Sequence, residues 1–236
     1  MERRLIASTG VSLDIRPVAA EVGRPAIDLV HSSVSLGGAT DSSQEDYLAS
    51  TTGSRSWLWK VADEMRFEKA TGRLAGLRLR IPGERERMQC PSDFLRAELR
   101  YRGPEFSLKP ASFCDFDVKS GALIASSRAP VEGSADQCIE VARGLGLLCS
   151  RWRIVGWILW PIEESLIVRG ADAGVARELF SAFIELSSDA SLELLEAGDS
   201  QVLAAVTGAF RAATEAGEKS LASGFRRLLD DFAPQS

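Results

Sequence analysis

Apolar residues alternate with polar ones along the first two thirds of the chain and recur every three to four positions along the last third. Alternation marks half-buried strands, and the longer spacing marks amphipathic helices. VSLDIRPV places Val11, Leu13 and Ile15 on one side of a strand that ends at Pro17, and AIDLV predicts a second strand. WLWKV puts Trp57, Trp59 and Val61 on one face, and Met65 and Phe67 keep that parity. KATG then predicts a hairpin turn in which Gly72 takes a positive φ. On the returning strand Leu74 is even, whereas Leu77, Leu79 and Ile81 are odd. A period of two changes phase only through an inserted residue, so a β-bulge is expected at Ala75–Gly76. Beyond it Arg78 and Arg80 face away from the leucines.

A second hairpin follows the same grammar. Cys114, Phe116 and Val118 share one face, Asp115, Asp117 and Lys119 share the other, Gly121 turns the chain, and ALIAS returns. FEKATGRL and FDVKSGAL therefore read as one turn chemistry used twice, since a repeat architecture needs about three copies or more. Between the hairpins, PSDFLRAEL predicts a short helix with Ser92 as N-cap and Phe94, Leu95 and Leu99 inward. From Gly37 to Ser56, 13 of 20 residues are Gly, Ser, Thr or Asp, which predicts a long loop with one helical turn around SQEDYL.

Three amphipathic helices are expected near the C-terminus. One carries Val175, Leu179, Phe183 and Leu186 with Asp172 as N-cap. The next carries Val202, Val206, Phe210 and Ala213, and the last Leu221, Phe225, Leu228 and Phe232. SLELLEAG predicts a connector helix. The fold class is α+β: a mostly antiparallel sheet of about six to eight strands in residues 1–168, and a helical region 169–236 packed on it or forming a small appended subdomain.

Composition narrows the function classes. The formal charge of −5 argues weakly against nucleic acid as the main partner. Charge is uneven, however: residues 55–109 hold 13 Lys+Arg against 8 Asp+Glu, and residues 161–236 hold 6 against 13. Asn is absent and Arg dominates over Lys, as in GC-rich bacterial genomes. The N-terminus lacks a convincing secretion signal, and the longest apolar run, Ile154–Trp160, falls far short of the roughly 20 residues of a bilayer span. The expected location is the cytoplasm.

No complete catalytic set stands out. The single histidine, His31, lies beside Ser32 and Ser33, but no GxSxG elbow is present. Asp115 and Asp117 share a strand face and, with an arginine such as Arg78, offer the chief acid/base alternative. Cys90, Cys114, Cys138 and Cys149 contain no CxxC pair and read as reduced thiols, so no metal is expected. Phosphate loops are missing: GEKS follows a helix, and Gly144-Leu145-Gly146 lacks a third glycine. No cofactor is expected.

Arg78 and Arg80 form a guanidinium row suited to carboxylate or phosphate. Trp157 and Trp160 differ in parity, so a strand there turns them to opposite sides, and an outward tryptophan suits an interface. These four residues are the candidate binding set. The expected function is a non-catalytic protein-binding protein, such as an immunity-like or assembly partner, whose partner is another protein, possibly acidic, or a second copy. An aromatic-lined carrier of small ligands is the remaining alternative.

Overall fold

A computed structural model describes residues 3–8, 11–17, 23–37, 44–54, 63–91, 94–128, 137–166 and 172–232. In chain order the elements begin with β1 (Arg3–Ser8), β2 (Val11–Pro17), β3 (Ala26–Asp28), β4 (Ser33–Gly37), α1 (Gln44–Ser50), β5 (Thr51–Ser54), β6 (Glu64–Glu68) and β7 (Leu74–Arg80). There follow β8 (Glu84–Arg85), β9 (Phe94–Arg100), β10 (Phe113–Asp117), β11 (Ala122–Ser126), β12 (Gln137–Ala142), β13 (Leu145–Ser150) and β14 (Arg153–Leu159). The helices α2 (Ala173–Leu186), α3 (Asp189–Glu196), α4 (Ser200–Glu215) and α5 (Lys219–Phe232) complete the chain. The protein is thus α+β, with its helical run after its strands.

The sheet is not the single, mostly antiparallel one expected. Strands β1-β2-β9-β12-β13-β14 close into a barrel, because β14 also pairs with β1. The closure is mixed: β1–β14 and β9–β12 are parallel, and the other barrel pairs are antiparallel. The edge of β14 is shared. Its start meets β1 at Arg153, and its end, Gly156–Leu159, pairs with β11, which carries β10 and β8 outward. A second, antiparallel sheet runs β3-β4-β7-β6-β5.

Alternation explains why the barrel forms. Leu5, Leu13, Ile15, Leu99, Ile139, Leu147, Trp157 and Leu159 are buried in one core, while Arg4, Arg16 and Arg96 on the opposite faces are exposed. On β14 the register shifts opposite Leu148–Cys149, which makes Val155 an extra residue. Val155 therefore leaves the inner core and joins Ala122, Ile124, Cys138, Leu148 and Ile158 in a smaller cluster outside the barrel.

The β6–β7 hairpin forms as its parity demands. Phe67 pairs with Leu74 and Arg66 with Gly76, so the bulge falls at Ala75–Gly76. Gly72 has φ +73. Leu77, Leu79 and Ile81 are buried, and Arg78 and Arg80 are exposed. The β10–β11 hairpin also forms, although Val118 lies in its turn and not on the strand face.

Two local expectations are overturned. Residues 94–100 form the strand β9, not a helix, held between β2 and β12. Leu, Arg, Ala and Glu favour helix weakly, and two flanking ladders outweigh that preference. Within the expected loop 37–56 the helical turn is α1, but Thr51–Ser54 is a buried strand, β5, pairing with β6. Residues 38–43, Trp57, Trp59, Val61 and Ser92 lie outside the described residues.

The helices pack as their stripes require, with one rotation. Asp172 caps α2 through Gly174 N, Ser188 caps α3, and Asp199 caps α4 through two amides. On α2 the buried stripe is Ala176, Leu179, Phe180, Phe183 and Ile184, so Val175 is exposed. Leu221, Phe225 and Leu228 of α5 are buried as expected. Edge-to-face rings run from Phe116 on β10 to Phe180, and from Phe183 to Phe225, at centroid distances of 4.9 and 5.7 Å. Gly224 lets α5 touch Phe183 and Leu29, where a Cβ would come within 2.8 and 3.0 Å.

Candidate functional site

The outer face of the second sheet is assembled from residues that alternate with its core. On β4 these are Ser33 and Ser35, on β7 Gly76, Arg78 and Arg80, and on β6 Glu64 and Arg66. Ser33 lies directly opposite Arg80, Ser35 opposite Arg78, and Glu64 opposite Arg78 across the other ladder. Cross-strand partners project to the same side.

Helix α1 covers one half of this face. Beneath it Arg66 is fully buried. Its Nε donates to Thr51 Oγ1 at 3.1 Å, and its Nη2 donates to the carbonyls of Thr51 at 2.9 Å and Leu48 at 3.4 Å. Arg66 thus satisfies carbonyls at the end of α1. Its Nη1 has no hydrogen bond and faces Glu105 at 3.7 Å. Burial pushes the Glu64 carboxyl up, against the pull of Arg66 and Arg78, and burial next to Glu64 pushes the Tyr47 hydroxyl up to about 12.

The other half, around Arg78 and Arg80, is open. The Arg80 backbone amide is held by Asp63, but among the described residues neither guanidinium makes a hydrogen bond or close ion pair. Ser33 Oγ is buried beside Arg80 without a hydrogen-bond partner.

The barrel exterior differs. Several of its arginines are matched: Arg96 to Glu140 at 2.8 Å, Arg100 to Glu98 at 3.1 Å and Arg4 to Asp14 at 3.6 Å, and Arg73 of the β6–β7 turn also reaches Glu98 at 2.8 Å. At the end of this charged ladder Phe94 is 45% exposed and packs against half-buried Trp160, with ring centroids 4.9 Å apart and planes inclined by 53°. Trp160 packs on the small cluster outside the barrel, beside Met88. Among the described residues Phe94 is the one exposed aromatic side chain.

Trp157 and Trp160 do face opposite ways. Trp157, however, is 1% exposed inside the barrel, so it contributes packing and offers no surface. The helix expected over PSDFLRAEL would turn Phe94 inward, whereas the strand β9 leaves it exposed.

The acid/base candidates are dispersed and structurally engaged. Asp115 accepts the Met88 amide at 2.8 Å. Asp117 accepts the Ser120 hydroxyl and the amides of Lys119 and Ser120 within its hairpin turn, which holds its carboxyl below the usual range. His31 sits in the β3–β4 turn with Nδ1 2.6 Å from Asp28 Oδ2, on the other sheet. The cysteines are free, and burial pushes the Cys114 thiol up to about 11 and the Cys138 thiol further. Among the described residues no cluster of His, Cys, Asp or Glu is placed to hold a metal, and no helix is long and apolar enough to cross a membrane.

A shallow groove of about 410 Å³ lies between α4, α5 and the β3–β4 turn, floored by Val30, Phe210 and Ala222. Its arginines are matched internally, Arg226 to Asp230 and Arg227 to Asp231. Leu5, Leu13, Leu99, Ile139, Leu147, Trp157 and Leu159 fill the barrel interior with packed side chains. No family model, curated protein or solved structure matches the chain.

Proposed function

We propose that this chain is a non-catalytic protein-binding protein, of the kind that neutralises or assembles with another protein. The exposed Phe94 packed against Trp160 carries the reading. An aromatic side chain left half in water forgoes roughly 1 kcal/mol or more of burial, which a partner restores on docking. Aromatic anchors of this kind dominate interface energetics. The occupied carboxylates of Asp115 and Asp117 favour binding over acid/base chemistry.

The edges of both sheets point the same way. The outer edge of β3 takes a bond from Ile27 N to Ser165 O, Gly53 on β5 accepts Phe106 N, and Gly83 beside β8 accepts Asp189 N. Each of these edges thus already has a backbone contact, which disfavours strand addition and favours a partner that reads side chains.

The test is capture from the native host by wild type and by Phe94→Asp. A partner held by wild type and lost with Phe94→Asp, both proteins melting alike, is the expected result. A partner set indifferent to residue 94, with a monomer in light scattering at every concentration, sinks the reading.

A further inference from the structure

We propose that Arg78, Arg80 and the Ser33 hydroxyl form a docking platform for an acidic, extended segment of the partner protein, with carboxylates at alternate positions. The proposal rests on the protein-binding reading and names the chemistry of one contact.

Three observations carry it. First, Arg78 and Arg80 are exposed neighbours on one face of β7, and among the described residues neither guanidinium has a hydrogen-bonded or close ionic partner, in contrast to Arg96, Arg100, Arg226 and Arg227. Second, Ser33 Oγ is buried directly across from Arg80 with its hydrogen-bonding capacity unused. A buried hydroxyl without a partner is costly, and an incoming oxyanion removes that cost. Third, the two arginines are two residues apart on a regular strand, so their Cα atoms are separated by about 7 Å. That repeat equals the spacing of carboxylates at alternate positions of an extended peptide. Guanidinium forks pair with carboxylates through two parallel hydrogen bonds.

Glu64 is the internal competitor. It lies across from Arg78, and its carboxyl is itself pushed up by burial, which weakens its claim on that guanidinium. Arg66 stands behind it, tied to α1. At the Arg80 end, Asp63 is turned inward to the backbone amides of Arg80 and Ala111. The Arg80 end is therefore the less shielded.

The probe is a short labelled peptide alternating glutamate and threonine, compared by anisotropy with an isomer of the same composition whose glutamates are contiguous. The alternating peptide is expected to bind at least about tenfold more tightly than the isomer, and the double variant Arg78→Ser/Arg80→Ser to lose that advantage. Ser33→Ala should weaken binding about threefold. Equal binding of the two isomers means diffuse charge attraction and overturns the proposal. Inorganic phosphate that competes as well as the peptide marks a small-anion site and overturns it too. If the serine pair melts early, Arg78→Lys/Arg80→Lys asks the same question at constant charge: weaker binding supports guanidinium pairing, and unchanged binding refutes it. Phe94→Asp should leave peptide affinity intact. Loss of Phe94-dependent capture therefore removes the functional reading, whereas failure of the peptide alone removes only this platform.

Discussion

Asp63 is 3% exposed, with one carboxylate oxygen accepting the Arg80 amide at 2.8 Å and the other facing the Ala111 amide at 3.4 Å. Burial pushes its carboxyl up to about 6, although both amides and the Arg80 charge pull it down. The folded chain therefore holds this proton more tightly than the unfolded chain, whose carboxyl keeps the ordinary value of 3.8. The resulting stabilisation is complete below about pH 4 and is lost as pH rises through about 6, leaving stability lower by on the order of 3 kcal/mol at neutral pH. Urea midpoints of wild type and Asp63→Asn, measured across that window, should diverge as pH rises. A constant difference would show that Asp63 ionises as freely in the fold as in the open chain. Arg66 illustrates how parity alone misleads at this scale. Its position on the outer face is as alternation demands, yet α1 lies over it and converts a surface arginine into a buried one.

At the scale of elements, Gly156 governs the strand that belongs to both barrel and side ladder. A Cβ there would sit 2.0 Å from the Ala125 carbonyl oxygen, which belongs to the neighbouring backbone and cannot swing aside. Gly156→Ala should therefore part β14 from β11 and cost about 2 kcal/mol or more in urea denaturation. A loss within the usual surface range of about 0.5 kcal/mol would show that the two backbones separate easily.

The elements legible in the sequence are those whose signal is local. The bulge at Ala75–Gly76 was readable because a phase change in apolar parity has one geometric remedy. Gly72, Gly121, Asp172 and the α5 stripe were readable for similar reasons of turn, cap and period. What escaped depends on distant partners. Strand β9 has the composition of a helix and is extended because β2 and β12 flank it. The β13–β14 turn places Arg151 and Trp152 at φ +49 and +63 without the usual Asn-Gly, so its sequence advertises no turn. Of the binding set, Arg78 and Arg80 could be assigned a face in advance. Trp157 could not be told from Trp160 until the sidedness of the barrel was fixed, and Phe94 was lost with the wrong element.

For the whole molecule, Arg85 joins strands to helices. It is largely buried, its Nη1 donates to Pro82 O at 3.3 Å and reaches Cys114 Sγ, and its Nη2 donates to Ile184 O at the end of α2. Burial lowers its pKa, opposed by Cys114, Glu185 and Asp189. Removing it takes the guanidinium donors from the Pro82 and Ile184 carbonyls and leaves them to the Cys114 thiol and the Ser187 hydroxyl, inside a single core that spans barrel, second sheet and helices. Arg85→Ala should cost about 3 kcal/mol and raise hydrogen exchange in α2 and α3 before the barrel strands. Uniform exchange across helices and barrel would mean that the joint is no weaker than its surroundings.

The shared edge of β14 has a consequence for synthesis. The barrel closes only where residue 6 meets residue 153, so β1 leaves the ribosome about 150 residues ahead of the strand that completes its pairing. Until then its ladder neighbour among the described residues is β2. A newly made chain therefore carries an open hairpin through most of translation, and slowing elongation before Arg153 should lengthen the interval in which chaperones find it.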